Sequence, residues 1–170
     1  MTETQKLIIE NLPNLRRYAL SLAGDREKAD DLVQDCLVRA MARLHLWEPG
    51  SNMRTWLFSI LHNLYINNVK RAQIRPDSKS IEDGHNLDQA QPANQEKRLI
   101  VHDIDKALSL LPLEQKEVIL LVGLEQLTYD EAADVLGISK GTVMSRLHRG
   151  REKLKSIMGM QKTAMLRSIK

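Results

Sequence analysis

Apolar side chains recur every three or four residues along most of this chain, which is the spacing that an amphipathic helix requires. In the first half, this spacing predicts helices over residues 4–22, 25–44 and 53–71. A glycine–aspartate pair at 24–25 reads as a stop followed by an N-cap, and Glu-Pro-Gly-Ser at 48–51 breaks the pattern again. The positions expected to face inward are Leu7, Ile8, Leu15, Tyr18, Ala19 and Leu22, then Ala29, Leu32, Val33, Cys36, Leu37, Ala40 and Leu44, then Trp56, Leu57, Ile60, Leu61 and Leu64.

The same spacing returns in the second half of the chain. Thr128 and Glu131 are the ends of a capping box, Thr-Tyr-Asp-Glu, which opens a short helix. A tight turn containing Gly137 follows, and then a long basic helix, so residues 128–154 predict a helix-turn-helix. The helices predicted in this half cover residues 99–111, 114–124, 129–136 and 140–158.

Residues 76–98 interrupt the helical spacing, because this stretch is polar and has no period. We interpret it as a flexible linker, which as a random coil would span on the order of 26 Å. The predicted fold class is therefore all-α. Two small helical domains, residues 1–75 and 99–158, are joined by the linker and followed by a basic tail at 159–170.

Composition narrows the function classes. Aromatic residues are only 4% of the chain and glycine and proline are scarce, which disfavours an all-β sandwich. The longest apolar run, residues 118–122, is far below the ~20 residues that cross a bilayer, so no membrane insertion is expected. The single cysteine, Cys36, cannot form an internal disulfide, which favours a cytoplasmic location.

The sequence offers no chemistry typical of an enzyme. It contains no phosphate-binding glycine loop, no cysteine pair with zinc spacing, and only scattered histidines. Cys36 lies on a core stripe, where an inert buried thiol is expected. We therefore assign no catalytic residue, no cofactor and no metal site.

Charge changes sign abruptly along the C-terminal half. Residues 99–138 carry 2 basic and 8 acidic side chains, whereas residues 139–170 carry 9 basic and 1 acidic. Such a contrast is typical of a face that meets a polyanion, although a solvated basic helix end gives the same count. On a helical wheel, the outward and flanking side chains suited to duplex DNA are Thr142, Met144, Ser145, Arg146, His148, Arg149, Arg151 and Lys153.

Two further surfaces are predicted in the first domain. The helix at 53–71 has a polar strip of Ser59, Asn63, Asn67 and Lys70 beside aromatic side chains, which suits unstacked bases of single-stranded DNA, although a merely solvated helix face gives the same pattern. Here Trp56 is expected in the core, and Phe58 and Tyr65 nearer the outside. Carboxylates and an exposed valine on the helix at 25–44 favour a protein partner, or else a plain solvated face. Its outward residues are Asp30, Asp31, Gln34, Asp35, Val38 and Met41.

With these residues in view, the chain resembles the extracytoplasmic-function (ECF, group IV) sigma factors of bacterial RNA polymerase, which belong to the sigma-70 family. The likeness spans about residues 5–75 and 99–158. The segments that carry it are 25–40 (DREKADDLVQDCLVRA), 54–71 (RTWLFSILHNLYINNVKR), 111–118 (LPLEQKEV) and 127–151 (LTYDEAADVLGISKGTVMSRLHRGR).

The resemblance implies a promoter-specificity subunit without catalysis of its own. Asp30, Asp31, Gln34, Asp35 and Val38 would dock on the β′ clamp helices of the polymerase core, and region 4 would meet the β flap. The helix-turn-helix would read the −35 duplex. Control by a separate anti-sigma factor and a monomeric free state are also expected. The residues implied at the −10 element are Trp47 and Asn52, in a loop that captures a flipped base, with Ser59, Asn63, Asn67, Lys70 and Arg71.

Two other hypotheses belong to different classes. A dimeric helix-turn-helix regulator would bind operator DNA and would need Arg149 but not Asn63. An interaction protein, such as an anti-sigma factor or a sigma mimic, would use the acidic helix without touching DNA and would depend on neither residue.

Overall fold

The computed structural model describes residues 1–75 and 95–168, and over these ranges it is helical with no strand. This confirms the predicted all-α class. A 3-10 turn, Leu44–Leu46, follows α2, and a short π-helical segment, Leu120–Leu124, continues α5. The helices are α1 (Glu3–Ala23), α2 (Arg26–Ala42), α3 (Met53–Ile74), α4 (Gln95–Ser109), α5 (Leu113–Ile119), α6 (Tyr129–Leu136) and α7 (Lys140–Ser168).

The chain divides into two compact units by backbone proximity. The first contains α1, α2 and α3 together with Asp130–Ile138, and the second contains α4, α5 and α7. Most of the predicted linker, residues 76–94, lies outside the described residues. Its last residues differ from the prediction, because α4 already begins at Gln95. The domain boundaries inferred from the sequence stay a prediction.

Local hydrogen bonds fix where the first helices begin and end. Thr2 and Gln5 form a reciprocal capping box at the start of α1, with bonds of 3.2 and 2.9 Å. Gly24 ends α1 with φ +69°, a left-handed conformation that glycine adopts without steric cost. The Asp25 carboxylate then accepts from the Glu27 backbone N–H at 3.0 Å and caps α2. The predicted stop and cap at 24–25 are confirmed.

The core of the first unit lies where α3 packs against both α1 and α2. Because two helices cover it, α3 buries a wider arc than a single stripe. Phe58 is fully buried, with its ring centroid 5.1 Å from that of Tyr18, so its predicted outward position is wrong. Trp56, expected in the core, is only half-buried. Tyr65 is also half-buried and donates its hydroxyl to the Leu22 carbonyl at 3.1 Å.

In the second unit, α5 crosses α7 closely. Gly150 is buried at the crossing, and a Cβ placed there would lie 2.8 Å from Ile119 Cδ1 and 3.3 Å from Gln115 Cβ. Val143 and Leu147 of α7 are also buried. The predicted helix over 114–124 is present as α5 followed by the π-helical segment Leu120–Leu124. The predicted end of the last helix at 158 is wrong, because α7 continues through the proposed basic tail as far as Ser168.

Candidate nucleic-acid and polymerase interfaces

The outward face of α2 combines carboxylates with exposed apolar side chains. Its inward face buries Ala29, Leu32, Val33 and Cys36, so the opposite side chains point to solvent. Val38 is 70% exposed, which is unusual for a valine on a folded helix. Sequence reasoning missed Leu46, which is also strongly exposed just beyond α2. The face consists of Asp30, Asp31, Gln34, Asp35, Val38 and Met41, and every one of them is exposed.

The polar strip on α3 lies where the sequence predicts it. Asn63, Asn67, Lys70 and Arg71 are exposed along one side of the helix. Ser59 is half-buried, and its hydroxyl donates to the Thr55 carbonyl within the helix at 2.9 Å. The amides and cations of the strip are therefore available to a ligand, whereas the Ser59 hydroxyl already has a partner.

The loop that precedes α3 differs from its predicted arrangement. Trp47 follows the 3-10 turn and is only 9% exposed, so its side chain is part of the core and not of an open loop surface. Asn52 is exposed, and its side-chain oxygen accepts from the Thr55 backbone N–H at 3.2 Å. Asn52 is thus the N-cap of α3, a structural role that sequence reasoning did not assign.

The first half of α7 presents the predicted duplex-reading face. Ser139 caps the helix, because its Oγ accepts from the Thr142 N–H at 3.2 Å and lies 2.8 Å from the Thr142 hydroxyl. The Ser145 hydroxyl donates to the Thr142 carbonyl at 3.1 Å. Thr142 is half-buried at the edge of the face. The exposed members are Met144, Ser145, His148, Arg149, Arg151 and Lys153.

Arg146 differs from its neighbours on α7. Its side chain is only 25% exposed and lies 3.9 Å from the Glu114 carboxylate on α5. The Glu114 carboxylate therefore lies near the guanidinium at the edge of the reading face, where a phosphate would have to compete with it. No periodicity in the sequence could have revealed a pair between residues so far apart in the chain.

A groove of about 490 Å³ runs between α2 and α3 in the first unit. It brings together residues from two separately predicted surfaces: Asp35 and Val38 from the α2 face, and Asn67 and Arg71 from the α3 strip. Sequence reasoning did not foresee this meeting. The remaining lining residues are Arg39, Ala42, Arg43, Leu64 and Asn68.

The buried titratable groups do not form a reactive centre. Cys36 is fully buried, its thiol donates weakly to the Leu57 carbonyl at 3.6 Å, and burial raises its pKa to about 12. Burial also lowers the pKa of Lys116, an effect that the Asp105 carboxylate partly offsets. Among the described residues, no three histidines, cysteines or carboxylates cluster in a way that could hold a metal ion. Over the same ranges, no helix is both long and apolar enough to cross a membrane.

Two family models match the chain on either side of its central segment. The Sigma2 domain of PhyR matches residues 8–62, which hold the α2 face and the start of the α3 strip. Sigma-70 region 4 matches residues 102–154, which include the predicted helix-turn-helix and the reading face of α7.

Similar proteins agree with both models. The chain is 37% identical over 155 residues to the ECF RNA polymerase sigma factor EcfG of Rhodopseudomonas palustris, covering 89% of this chain and 82% of that protein. It is 33% identical over 140 residues to the ECF sigma factor SigL of Mycobacterium tuberculosis, covering 82% and 79% of the two chains. The chain belongs to the ECF family of RNA polymerase sigma factors, and it is therefore a transcription initiation protein with a DNA-binding region 4.

Solved structures support the same assignment. The sigma factor RpoE of Bartonella quintana, crystallised with the anti-sigma factor NepR, matches with a TM-score of 0.80 and 35% identity. That match covers 94% of this chain and 98% of RpoE. CnrH, solved with the cytosolic domain of CnrY, matches with a TM-score of 0.69 and 26% identity, covering 92% and 88%.

Proposed function

We propose that this sigma factor binds the RNA polymerase core through the α2 face, the −10 element through the α3 strip, and the −35 duplex through α7. It has no catalytic step of its own. The observation that carries the proposal is that three exposed faces of different chemistry lie on separate helices of one sigma-family chain. The face on α2 is acidic and apolar, the strip on α3 carries amides and cations, and the face on α7 is basic.

The α2 face suits a protein partner better than DNA. Its carboxylates would repel phosphates, whereas an exposed valine among them offers apolar area to bury. We assign this face to the β′ clamp helices of the core. The second unit meets the β flap in the same assembly, so that one polymerase holds both DNA-reading surfaces at a fixed distance.

The α3 strip suits unpaired bases. The Asn63 and Asn67 carboxamides offer donors and acceptors to exposed base edges, and Lys70 and Arg71 offer charge to the phosphates. Bases held there are removed from the duplex, so binding them stabilises the open promoter. Asn52 contributes through its cap on α3. Since Trp47 is buried, we assign the capture of a flipped base to the exposed residues that follow it.

The α7 face suits duplex DNA. Arg149 and His148 are exposed at its centre and reach base edges in the major groove, while Arg151 and Lys153 hold phosphates. Two weak DNA contacts joined through the polymerase act at high effective concentration. The free protein therefore binds DNA weakly and in a strongly salt-dependent way.

We further propose control by an anti-sigma factor, with a cytoplasmic, monomeric free state. The support is that RpoE, which is 35% identical to this chain, was crystallised with the anti-sigma factor NepR. Leu99, Ile100 and Val101 on α4 are consecutive exposed apolar residues, which a protein partner would cover.

Run-off transcription with core polymerase tests the proposal, on promoter DNA taken from upstream of the gene that encodes this protein. We expect transcripts that depend on the protein and that map the −10 and −35 elements. Asn63→Ala and Arg149→Ala should each reduce the amount of transcript. Each should lower the free energy of promoter discrimination by about 1–3 kcal/mol. Arg16→Ala, an exposed arginine on α1, is the matched control and should have no effect. Loss with Arg149→Ala alone would favour an operator-binding regulator, and no binding to core would refute the proposal.

A further inference from the structure

The groove between α2 and α3 contains two arginines, Arg39 and Arg43, that none of the proposed contacts uses. Arg39 lies in the last turn of α2, Arg43 is the C-cap residue directly after it, and Arg71, a member of the α3 strip, lines the same groove from α3. All three are exposed, and in the part of the chain that the structure describes none of them is paired with a carboxylate. The lining holds three guanidinium groups and one carboxylate, that of Asp35, so its net charge is positive although Asp35 also belongs to the acidic α2 face. The groove therefore attracts anions.

The other residues that line the groove indicate which kind of anion it binds. The carboxamides of Asn67 and Asn68 stand beside the arginines, and Leu64 lies at the bottom, only 7% exposed. Guanidinium groups match phosphate oxygens in a bidentate way. Carboxamides match the edge of a base, and an apolar surface packs under a base or a sugar. This combination fits a nucleotide, whose phosphate, base edge and base face match the guanidinium groups, the carboxamides and the apolar surface in turn.

The groove is continuous with the α3 strip. Asn67 belongs to both, since it ends the run of outward amides and also lines the groove, and Arg71 lies one turn further along. A strand that follows the strip would therefore reach the groove without leaving the protein surface. We infer that the groove binds a phosphate-bearing nucleotide of single-stranded promoter DNA, with Arg39 and Arg43 as further DNA-binding residues. This inference rests on the proposed function.

A holoenzyme binding experiment tests the inference. The DNA is a promoter whose −10 region is held open by mismatches, and its affinity is measured over a series of KCl concentrations. Each phosphate contact to a single strand contributes about 0.7 to the slope of log K against log salt, so Arg39→Ala/Arg43→Ala should lower the magnitude of that slope by about 0.7, for the one phosphate that the two arginines hold. The lysine variant Arg39→Lys/Arg43→Lys keeps the charge and should retain most of the slope.

Arg26→Ala is the matched control, because Arg26 is an exposed arginine at the other end of α2 and does not line the groove. It should leave the slope unchanged. The affinity of each variant for core polymerase is measured without DNA. We expect the double alanine variant to bind core as the wild type does. An unchanged salt slope would overturn the inference, and so would a loss of core affinity that explains the whole loss of DNA binding.

Free nucleotide is the other source of the same chemistry. Equilibrium dialysis of the free protein with ATP distinguishes a free nucleotide from a promoter strand. The assignment to a promoter strand is overturned if ATP binding requires Arg39 and Arg43 while the double alanine variant leaves the salt slope of DNA binding unchanged. If wild-type holoenzyme forms no complex that depends on this protein, the proposed function and the inference both fail. If wild type and Arg26→Ala form it and the double variant is identical to them, only the inference fails.

Discussion

Gly150 offers the sharpest test of the packing in the second unit. It lies inside α7, where replacing glycine by alanine ordinarily stabilises a helix by about 1 kcal/mol. A Cβ at this position, however, would lie 2.8 Å from Ile119 Cδ1, the movable end of that side chain, and 3.3 Å from both Ile119 Cγ1 and Gln115 Cβ, which lie closer to the α5 backbone. Relieving such overpacking costs about 1–3 kcal/mol. Gly150→Ala should therefore be neutral or destabilising by up to about 2 kcal/mol.

Gly159 provides a matched substitution on the same helix. A Cβ there would meet nothing within 4 Å, so Gly159→Ala should gain the full helix propensity of about 1 kcal/mol. The two alanine variants have the same chemistry and differ only in the neighbouring helix. The difference in their free energies of unfolding, about 1–3 kcal/mol, therefore measures the closeness of the α5–α7 crossing.

Hydrogen exchange of α5 and α7 peptides is the suitable assay, because it reports the second unit separately. Tryptophan fluorescence supplies an internal control, since Trp47 and Trp56 both belong to the first unit and its unfolding should not change. If Gly150→Ala slows exchange in α7 as much as Gly159→Ala does, the two helices do not approach as closely as described and the reasoning is refuted.

Three further predictions concern the first unit. The raised pKa of Cys36, about 12 against an ordinary 9.0, means that only the unfolded thiol ionises between those values, so stability should fall there by roughly 1.4 kcal/mol per pH unit. Urea titrations at pH 8 and 10 should show this loss of unfolding free energy. Cys36→Ala should lack the part of the loss that comes from ionisation of the thiol. Asn52→Ala should lose about 1 kcal/mol of thermal stability with the α3 cap, whereas Asn52→Asp should keep it, and equal stability of the two would contradict the cap. Phe58→Ala should lower the free energy of unfolding, followed by fluorescence, by about 3–5 kcal/mol. Asn63→Ala, at an exposed position, should change it by no more than about 0.5 kcal/mol. Similar losses for the two variants would mean that Phe58 is not a core residue.

Helix positions were predictable where apolar spacing and end signals agree. The capping box at Thr128 and the glycine at 137 bracket α6, and its observed bounds, Tyr129–Leu136, coincide with the predicted ones. Residues 120–124 are apolar on every side, so their spacing cannot separate an α-helical turn from the π-helical segment that is present. The end of α7 was missed because Gly159 weakens a helix without terminating it.

The interface residues were predictable in position but not in their contacts. A helical wheel correctly exposes Asn63 and Arg149, since each lies opposite a clear apolar stripe. It fails for Phe58, because a second helix covers the face that the wheel leaves outside. It also says nothing of Trp47, whose direction depends on the 3-10 turn before it, or of the Arg146–Glu114 pair, which depends on how α5 and α7 cross.

Because α7 is one continuous helix, a rotation imposed on its second half is transmitted to the duplex-reading face on its first half. At 1.5 Å per residue, its 29 residues span about 44 Å, and the duplex-reading face occupies only the first half. A hydrogen-bonded helix resists torsion along its axis far better than a loop does. If α7 binds duplex DNA as proposed, a protein bound to its second half would set the rotational angle at which Arg149 and His148 meet the duplex. Such a partner would alter promoter choice without covering any side chain of the proposed DNA-binding face.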